Sequence, residues 1–466
     1  MTFEGAPMPL DDPKVLQAIL TESFHPTPAL QQILRDTLGK DASKHRQFSK
    51  SVSSWRWPLW GCAFEDMTTE KGSGWVKERL LGPSAHWKGS ADGSGPGPIF
   101  QMVEVGLKKE RSILSEGGAI LKGKTGSIVV TVEPSWRSVN VMAHATEENR
   151  ALAEKFYSDV DGWVSKHNFY RGQKIDASGR FLDLSGVDYD DVILPEKTKR
   201  DIFVNVKQMI ERTADYEKFG IPSKRGVIMA GPPGCGKTLV ARALAKNLPC
   251  TFIWANVKEI MENGFEPIYE QARELAPSVV LMEDADGFGL DRRIGGLNPR
   301  LSELLNVLDG VVENKGVITI LTSNYAEMLD CALTNRPGRF DLKVFVGPPG
   351  PNEAQEILRR NLEKRKVVFE GNPGILRTIA DTLTSRGASG AHVVDVVNTA
   401  MALAVERGRG QGLRLVVEEK DLGDAAVMVG DRIIQAEVEE KSLVESGLMK
   451  WGEQGPGWKF GTKEES

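Results

Sequence analysis

A glycine-rich loop near the middle of the chain has the composition of a phosphate-binding site. Residues 231–238 read Gly-Pro-Pro-Gly-Cys-Gly-Lys-Thr, after an apolar run and before a helical pattern at residues 239–247. Glycines let backbone N–H groups turn toward phosphate oxygens, and the start of a helix adds positive partial charge. Lys237 can reach the β- and γ-phosphates of a nucleotide, and the Thr238 hydroxyl can bind Mg²⁺. The predicted phosphate-binding residues are Gly231, Pro232, Pro233, Gly234, Cys235, Gly236, Lys237, Thr238 and Leu239.

Two adjacent carboxylates follow a later apolar run. Glu283 and Asp284 come directly after residues 278–282, which are almost wholly apolar, as in a strand buried on both faces. At the carboxyl edge of a parallel sheet they can hold Mg²⁺ through water and orient an attacking water. An acidic pair after a strand is by itself equally compatible with a solvated loop. Its position about 45 residues after the phosphate loop favours the catalytic interpretation.

Two further polar features follow the acidic pair. Asn324 ends an apolar run and could hydrogen-bond the attacking water or the γ-phosphate, although asparagine at a strand end is usually a turn former. Arg336 and Arg339 flank a Pro-Gly turn. They could stabilise charge on a transferring phosphate, where an arginine finger is worth about 10³–10⁵ in rate, or simply keep a surface loop soluble.

Alternating strand and helix patterns would position these groups. Apolar runs predict five strands, at residues 225–230, 251–255, 278–282, 317–322 and 343–346. Strands that alternate with helices are typical of a parallel sheet. After residue 347 the pattern becomes helical, at residues 353–364, 375–383 and 391–406. These helices predict a smaller helical domain.

The chain before residue 184 has a different character. A tryptophan-rich stretch begins at residues 55–60 and also holds Trp75 and Trp87, and tryptophans at this density anchor a core or an interface. Strand-like runs at residues 119–122, 127–132 and 138–143 precede a helix that begins near Thr146. We therefore predict a separate α/β module without a recognisable catalytic constellation. The predicted domains are residues 1–183, 184–347 (large α/β subdomain), 348–440 (helical lid) and 441–466 (flexible tail).

Composition limits the function classes. The 466 residues are 40% hydrophobic and 26% charged, with a net charge of -5, as in a soluble protein of about three domains. Without a basic footprint, a nucleic-acid partner is disfavoured. The four cysteines are widely spaced and predict reduced thiols in the cytoplasm. No apolar run approaches the roughly 20 residues that span a bilayer, so no membrane association is expected.

In this order and spacing, the four segments resemble the AAA family of ATPases within the AAA+ superfamily. The similarity covers about residues 183–430, and residues 218–226 are similar to the Rieske-protein translocase branch, here without a membrane anchor. The resemblance implies an α/β fold: a P-loop parallel sheet with a small helical lid. It also implies ATP and Mg²⁺ as cofactors and a homo-oligomeric ring, usually a hexamer.

The resemblance also assigns roles to individual residues. Glu283 and Thr238 would hold magnesium, and Asp284 would activate the attacking water. Asn324 would sense the γ-phosphate, while Arg336 and Arg339 would act as fingers that reach the neighbouring subunit's nucleotide. The adenine and ribose would lie against Asp191, Ile193, Ile357, Asn361, Gly390 and Ala391.

Two departures from the family pattern bear on function. Most members have Asp followed by Glu where this chain has Glu283 and Asp284, so the general base is one methylene shorter, and we expect slow hydrolysis. The segment at residues 256–265 is shorter than usual and lacks the aromatic pore loop of threading members. Phe265 could substitute, but burial of this aromatic at a helix start is favoured. Remodelling without tight gripping therefore fits as well as threading.

The leading hypothesis is a ring-forming ATP hydrolase that remodels or translocates a protein client, bound directly or through an adaptor by the N-terminal module. No HExxH segment is present, so the zinc-protease half of the membrane-bound AAA proteases is missing. Two alternatives remain: an ATP-dependent nucleic-acid-associated or clamp-type factor, and a scaffold whose assembly is gated by nucleotide.

Overall fold

The fold is known for most of the chain from a computed structural model. It describes residues 28–69, 73–82, 97–212, 215, 218–219, 225–287, 299–309, 314–325, 329, 333, 339–365, 367–408, 410–411, 414–445, 449–451 and 458–460. The chain divides into two compact units, residues 1–169 and 170–466. The predicted domain boundary near residue 183 falls within the second of these units, and the predicted domain bounds stay a proposal.

Within its described residues, the first unit is an antiparallel sheet with three α-helices. Its strands are β1 (His45–Ser53), β2 (Val76–Leu81), β3 (Ile99–Gly106), β4 (Lys109–Lys122), β5 (Ser127–Pro134) and β6 (Ser138–Thr146). Its helices are α1 (Pro28–Leu38), α2 (Trp57–Thr69) and α3 (Arg150–Lys166). The strand order is β1-β6-β5-β4-β2, and β3 also pairs with β4. The predicted strands and helix of this module are therefore present, with longer strands than the sequence indicated.

Aromatic side chains form the core of the first unit. Phe156 on α3 is fully buried and meets the rings of Trp60 and Trp75 edge-to-face, at centroid distances of 6.0 and 5.5 Å. Such contacts add about 0.5–1.5 kcal/mol beyond the burial of area. The expectation that the tryptophans anchor a core is confirmed for these residues. Trp87 lies outside the described residues.

The second unit is built on a parallel sheet. Its strands are β7 (Lys174–Asp176), β8 (Arg225–Ala230), β9 (Thr251–Ala255), β10 (Ser278–Met282), β11 (Val317–Ser323) and β12 (Phe340–Phe345). The helices around it are α4 (Glu196–Glu211), α5 (Lys237–Asn247), α6 (Val257–Asn263), α7 (Glu266–Glu274) and α8 (Pro299–Asp309). The strand order is β12-β8-β11-β10-β9-β7, and all neighbours run parallel. All five predicted strands are present, and β7, which was not predicted, pairs with β9.

Every residue of β10 is buried, as expected for a strand covered on both faces. Phe265, which precedes α7, is also fully buried. The expectation that this aromatic lies in the interior at a helix start is confirmed.

A helical subdomain follows the sheet. It contains α9 (Pro351–Lys364), α10 (Gly374–Ser385), α11 (Gly390–Glu406) and α12 (Glu419–Glu445), with short strands β13 (Val368–Glu370), β14 (Gly410–Gln411) and β15 (Arg414–Glu418). Its own core is formed by residues such as Leu358, Ile379, Val397 and Leu422. These core residues all lie within the predicted lid, residues 348–440. Helix α12 extends into the predicted tail, residues 441–466, and β16 (Met449–Trp451) pairs there with β17 (Trp458–Phe460).

Among the helices of the described ranges, none has both the length and the apolar character needed to cross a bilayer.

One histidine in the first unit is almost fully buried. His144 on β6 is 3% exposed, and its Nε2 atom has no hydrogen-bond partner in the described part of the chain. Burial, and then the charge of His45, lower the pKa of His144 to about 4. The folded state therefore resists protonation of this ring in a pH range in which the unfolded chain accepts a proton.

This burial predicts acid sensitivity of the first unit. The unfolded state gains the proton below pH about 6.5, but folded His144 does so only near pH 4, so stability falls as pH drops through this window. We expect His144→Leu to abolish about 2 kcal/mol of the stability lost between pH 7.5 and pH 5. Denaturant unfolding at both pH values would measure it. His167→Gln, which changes an exposed histidine, is the control. Equal acid sensitivity of the His144 variant and the wild type would contradict the assignment.

Candidate nucleotide-binding site

The loop between β8 and α5 has the backbone geometry that a phosphate cradle needs. Gly231 and Gly234 have φ values of 153° and 75°, which favour glycine. A Cβ atom at Gly231 would lie 2.0 Å from the carbonyl oxygen of Val346 on the neighbouring chain segment. At Gly234 it would lie 2.8 Å from Ser389 Oγ. The glycines therefore fix the loop against the sheet on one side and against the lid on the other.

Lys237 begins α5 and is 6% exposed. Its Nζ donates to the carbonyl oxygens of Gly231 and Pro232, at 2.6 and 2.9 Å, and to Asn324 Oδ1, at 2.7 Å. Burial lowers the pKa of this ammonium below its usual value, although Cys235 and the carboxylates of Asp286 and Asp284 oppose the shift. All three partners are neutral oxygens, so an anionic phosphate oxygen would be a stronger acceptor.

The predicted metal-binding pair is assembled in the structure. Thr238 Oγ1 donates to Glu283 Oε1 at 2.8 Å. The other carboxylate oxygen, Glu283 Oε2, accepts from the indole Nε1 of Trp254 at 2.9 Å. Mg²⁺ usually binds through one or two protein oxygens and the substrate phosphates while retaining water, and Thr238 with Glu283 fits that requirement.

Asp284 and Asn324 face each other across the ends of β10 and β11. Asp284 has a φ of 49°, an uncommon conformation for a residue with a side chain, and such strain clusters at functional sites. Its backbone N–H donates to Thr322 Oγ1 at 3.1 Å, and Asn324 Nδ2 approaches its carboxylate at 3.5 Å. The Asp286 carboxylate accepts from the Ser323 hydroxyl and from the Asn324 backbone N–H. Asp286 therefore fixes the backbone that carries Asn324.

Lys237, Thr238, Asp284 and Asn324 line one cleft of about 410 Å³, whereas Glu283 is not among the lining residues and adjoins the cleft through Thr238. It is lined by Asp191, Ile193, Pro233, Gly234, Cys235, Gly236, Lys237, Thr238, Leu239, Asp284, Thr322, Asn324, Ile357, Asn361, Gly390, Ala391 and Val394. Of the predicted phosphate-loop residues, Gly231 and Pro232 do not line the cleft, and they supply carbonyl oxygens to Lys237 instead. All six residues predicted to contact adenine and ribose line it.

The lid closes one side of the cleft through polar contacts. The backbone N–H of Ala391 donates to Gly234 O at 2.9 Å, so the start of α11 touches the phosphate loop. On the opposite wall Lys364 of α9 pairs with Asp191 at 3.1 Å. Burial disfavours ionisation of Asp191, but the hydrogen bonds from Asp188 and Lys364 outweigh it, and its pKa lies below the usual value.

The comparison with known proteins supports the same interpretation. The sequence matches the family described as "ATPase family associated with various cellular activities (AAA)" over residues 227–348. This match contains the phosphate loop, the acidic pair and Asn324, which the sheet brings together. The chain contains an AAA ATPase domain.

Known relatives extend the similarity beyond the AAA domain. ATPase family gene 2 protein of Saccharomyces cerevisiae is 34% identical over 224 residues, which are 46% of this chain and 28% of that protein. ATP-dependent zinc metalloprotease FTSH 2, chloroplastic, of Oryza sativa subsp. japonica is 33% identical over 263 residues, which are 54% of this chain and 36% of that protein. ATP-dependent zinc metalloprotease FtsH of Photobacterium profundum is 30% identical over 282 residues, which are 57% of this chain and 36% of that protein. This chain thus spans roughly a third of the length of these curated relatives.

The predicted arginine fingers of the AAA domain are only partly described. Arg336 lies outside the described residues. Arg339 is 5% exposed, and its guanidinium forms an ion pair with Asp309 at the end of α8. A finger has to reach outward, so in this conformation Arg339 acts as a structural cation within its own chain. Its role as a finger stays a prediction that requires this ion pair to open.

Sequence reasoning missed several contributors to the AAA site. Asp286 follows Asp284 by two residues, and this spacing was the available signal. Trp254 carried no such signal, because its contact with Glu283 joins neighbouring strands that are separated along the chain. Thr322 and Val394 line the cleft between residues that were predicted.

The contact between the phosphate loop and the lid generates a prediction. Gly234→Ala would add a methyl group 2.8 Å from Ser389 Oγ and 3.0 Å from Ala391 Cβ, in a left-handed conformation that itself costs about 1–2 kcal/mol. We expect at least a tenfold loss of nucleotide affinity, measured by titration with a fluorescent ATP analogue.

Gly387→Ala is the matched control for this variant. Gly387 has a similar φ of 71°, but a Cβ there would meet nothing within 4 Å. This control should lower stability without changing affinity. Equal nucleotide affinities for the two variants would show that lid contact with the loop is irrelevant to binding.

Proposed function

We propose that this chain hydrolyses ATP and uses the energy to remodel or translocate a protein partner, in a homo-oligomeric ring. The observation that carries this proposal is that Lys237, Thr238, Asp284 and Asn324 line one cleft at the ends of adjacent parallel strands. Glu283 adjoins them through its hydrogen bond with Thr238. These are the groups that phosphoryl transfer to water requires. The match with the AAA family supports the same chemistry.

The first role of the site is to bind and orient the triphosphate. The phosphate loop offers backbone N–H groups, and α5 begins directly after it at Lys237. The Lys237 ammonium would exchange a neutral oxygen partner for a phosphate oxygen. Thr238 and Glu283 would hold Mg²⁺, which neutralises charge on the phosphates when it is bound.

The second role is to activate water. In the proposal Asp284 accepts a proton from the attacking water, and Asn324, held on its backbone by Asp286, orients that water or the γ-phosphate. The side chain of Asp284 is exposed to the cleft. Aspartate reaches one methylene less far than glutamate, which supports slow hydrolysis.

Two polar links support coupling between nucleotide state and lid position. The Ala391 N–H contacts the phosphate loop, and Lys364 contacts Asp191 on the opposite wall. Occupancy of the cleft would act on both links, so the angle between the lid and the sheet would follow the nucleotide. The N-terminal unit would pass this change to a client or an adaptor, and a cytoplasmic location stays a prediction.

The relatives' names give limited support for the partner class. Two of the relatives above are zinc metalloproteases by name, but this chain contains no HExxH segment. We therefore propose remodelling or translocation without proteolysis. A net charge of -5 disfavours the nucleic-acid alternative, and assembly that responds to ATP without turnover would indicate the scaffold alternative.

The assignment of Asp284 predicts separation of binding from turnover. Asp284→Asn removes the general base but leaves Lys237 and the phosphate loop in place. We expect phosphate release to fall about 10²–10⁴-fold, while the affinity for ATP stays within threefold. Phosphate release and equilibrium nucleotide binding measure the two effects.

Asp284→Glu is the control, since it retains a carboxylate and should keep measurable turnover. If Asp284→Asn hydrolyses ATP within twofold of the wild-type rate, the water-activating role is wrong. Wild-type protein that binds ATP and assembles without hydrolysing it would favour the scaffold alternative instead.

A subunit-mixing experiment tests the proposed action of Arg339 on a neighbouring subunit. Arg339→Ala lacks the finger but keeps its phosphate loop, and Lys237→Ala lacks the loop lysine but keeps Arg339. Each variant alone should therefore be nearly inactive. In a 1:1 mixture roughly a quarter of the head-to-tail interfaces would combine an intact loop with an intact arginine. We expect about a quarter of wild-type turnover from the mixture.

The ion pair between Arg339 and Asp309 requires its own control. Asp309→Asn removes the pair but leaves the arginine available, so a finger would keep turnover in this variant. A purely structural arginine would make Asp309→Asn as defective as Arg339→Ala and would leave mixed subunits inactive. Thermal melting of each variant shows the contribution of the pair to stability.

A further inference from the structure

Trp254, on the strand next to β10, donates a hydrogen bond to the second carboxylate oxygen of Glu283, the residue predicted to hold magnesium. Trp254 lies in β9, where it pairs with Leu281 of β10 on one side and with Asp176 of β7 on the other. Its carbonyl oxygen also accepts from Ala177 N at 3.0 Å. The backbone of Trp254 is thus fixed from both directions.

The side chain of Trp254 is held as firmly as its backbone. The indole is half-buried, packs against the hydrophobic core of the second unit and lies beside the ring of Phe252 at a centroid distance of 6.2 Å. From this position Nε1 donates to Glu283 Oε2 at 2.9 Å. Because the ring is restrained by packing, the direction of this N–H group is restrained as well.

The chemistry of the indole suits a supporting role. Its N–H group is a donor only, so it can bind an anionic oxygen but cannot ligate a cation. With Oε2 engaged by Trp254, Oε1 is the oxygen that faces Thr238, at 2.8 Å. The two donors therefore determine the orientation of the Glu283 carboxylate before any metal binds.

This geometry also gives a reason for the unusual order of the acidic pair. The carboxylate has to bridge a hydroxyl at the start of α5 and an indole on β9, and Glu283 accomplishes this with its two oxygens. Aspartate, which is typical of the family at this position, is one methylene shorter and would draw the carboxylate away from Trp254. Trp254 and Glu283 thus form a matched pair.

We propose that Trp254 is a positioning residue for magnesium: its indole orients Glu283 so that Oε1 and Thr238 bind the metal of the Mg²⁺–nucleotide complex. This inference rests on the proposed nucleotide site. Trp254 contacts neither nucleotide nor metal in this scheme and acts only through Glu283. Partners of this kind typically change metal affinity or activity by 10–100-fold when they are removed.

Equilibrium binding of a fluorescent, non-hydrolysable ATP analogue as a function of Mg²⁺ concentration tests the proposal on the full chain. Trp254→Phe keeps an aromatic ring but removes the donor. We expect the Mg²⁺ concentration for half-maximal tight binding to rise at least tenfold, while affinity in EDTA stays within twofold. Trp163→Phe, which removes an indole from the first unit, should leave both values unchanged.

A double-mutant cycle with Glu283→Asp separates positioning from a merely structural role. Because the shorter carboxylate no longer reaches the indole, adding Trp254→Phe to Glu283→Asp should change the Mg²⁺ dependence less than twofold. Thermal melting identifies a folding defect, and Trp254→Tyr replaces the phenylalanine variant if that variant melts early. Additive effects, or an equal loss of affinity in EDTA, would overturn the proposal.

The outcomes also distinguish this inference from the proposed function. If the wild type binds the Mg²⁺–nucleotide complex without hydrolysing ATP, and Trp254→Phe still shifts the Mg²⁺ dependence, the ATPase proposal fails and the positioning role stands. If hydrolysis occurs but the variant shifts nothing, the positioning role fails alone. A wild-type chain that binds no nucleotide overturns both.

Discussion

Parallel pairing of β8, β11 and β10 is the constraint on which the rest of the site depends. Ala230 lies opposite Ser323, and Leu321 lies opposite Met282, so the three strands end close together at one edge. The phosphate loop, the acidic pair and Asn324 each follow one of these ends. A slip of one residue would turn every side chain of a strand to the other face. The fixed register therefore determines which polar groups can meet.

The same sheet edge holds a buried cation, Lys237. Lys237 gives up hydration, and its three hydrogen bonds to neutral oxygens compensate only in part, as its lowered pKa shows. A buried cation without an anionic partner is unfavourable for the fold but favourable for binding an anion. The same loop contacts the lid through Gly234 and Ala391. An anion that binds to Lys237 therefore lies close to the lid.

The parts of this fold that follow local rules could be predicted from the sequence. Strand β10 is apolar throughout, and the spacing from Gly231 to Thr238 defines a loop between a strand and a helix, so both were located correctly. The edge strand β7 was missed because three residues are too few for a periodic signal. Arg339 shows a different limit: its motif predicts an outward finger, but its burial depends on Asp309, about 30 residues away.

The carboxylates of Glu283 and Asp284 differ more in their surroundings than in the length of their side chains. Both oxygens of Glu283 accept hydrogen bonds from donors on separate elements, so this carboxylate is held in place and suited to orienting a metal ligand. Asp284 is exposed to the cleft on a left-handed backbone, and Asn324 Nδ2 approaches its carboxylate only to 3.5 Å. A carboxylate that accepts so weak a hydrogen bond retains lone pairs that can accept a proton from water. The local contacts therefore support the division of roles, and the inverted order of the pair does not require the roles to be exchanged.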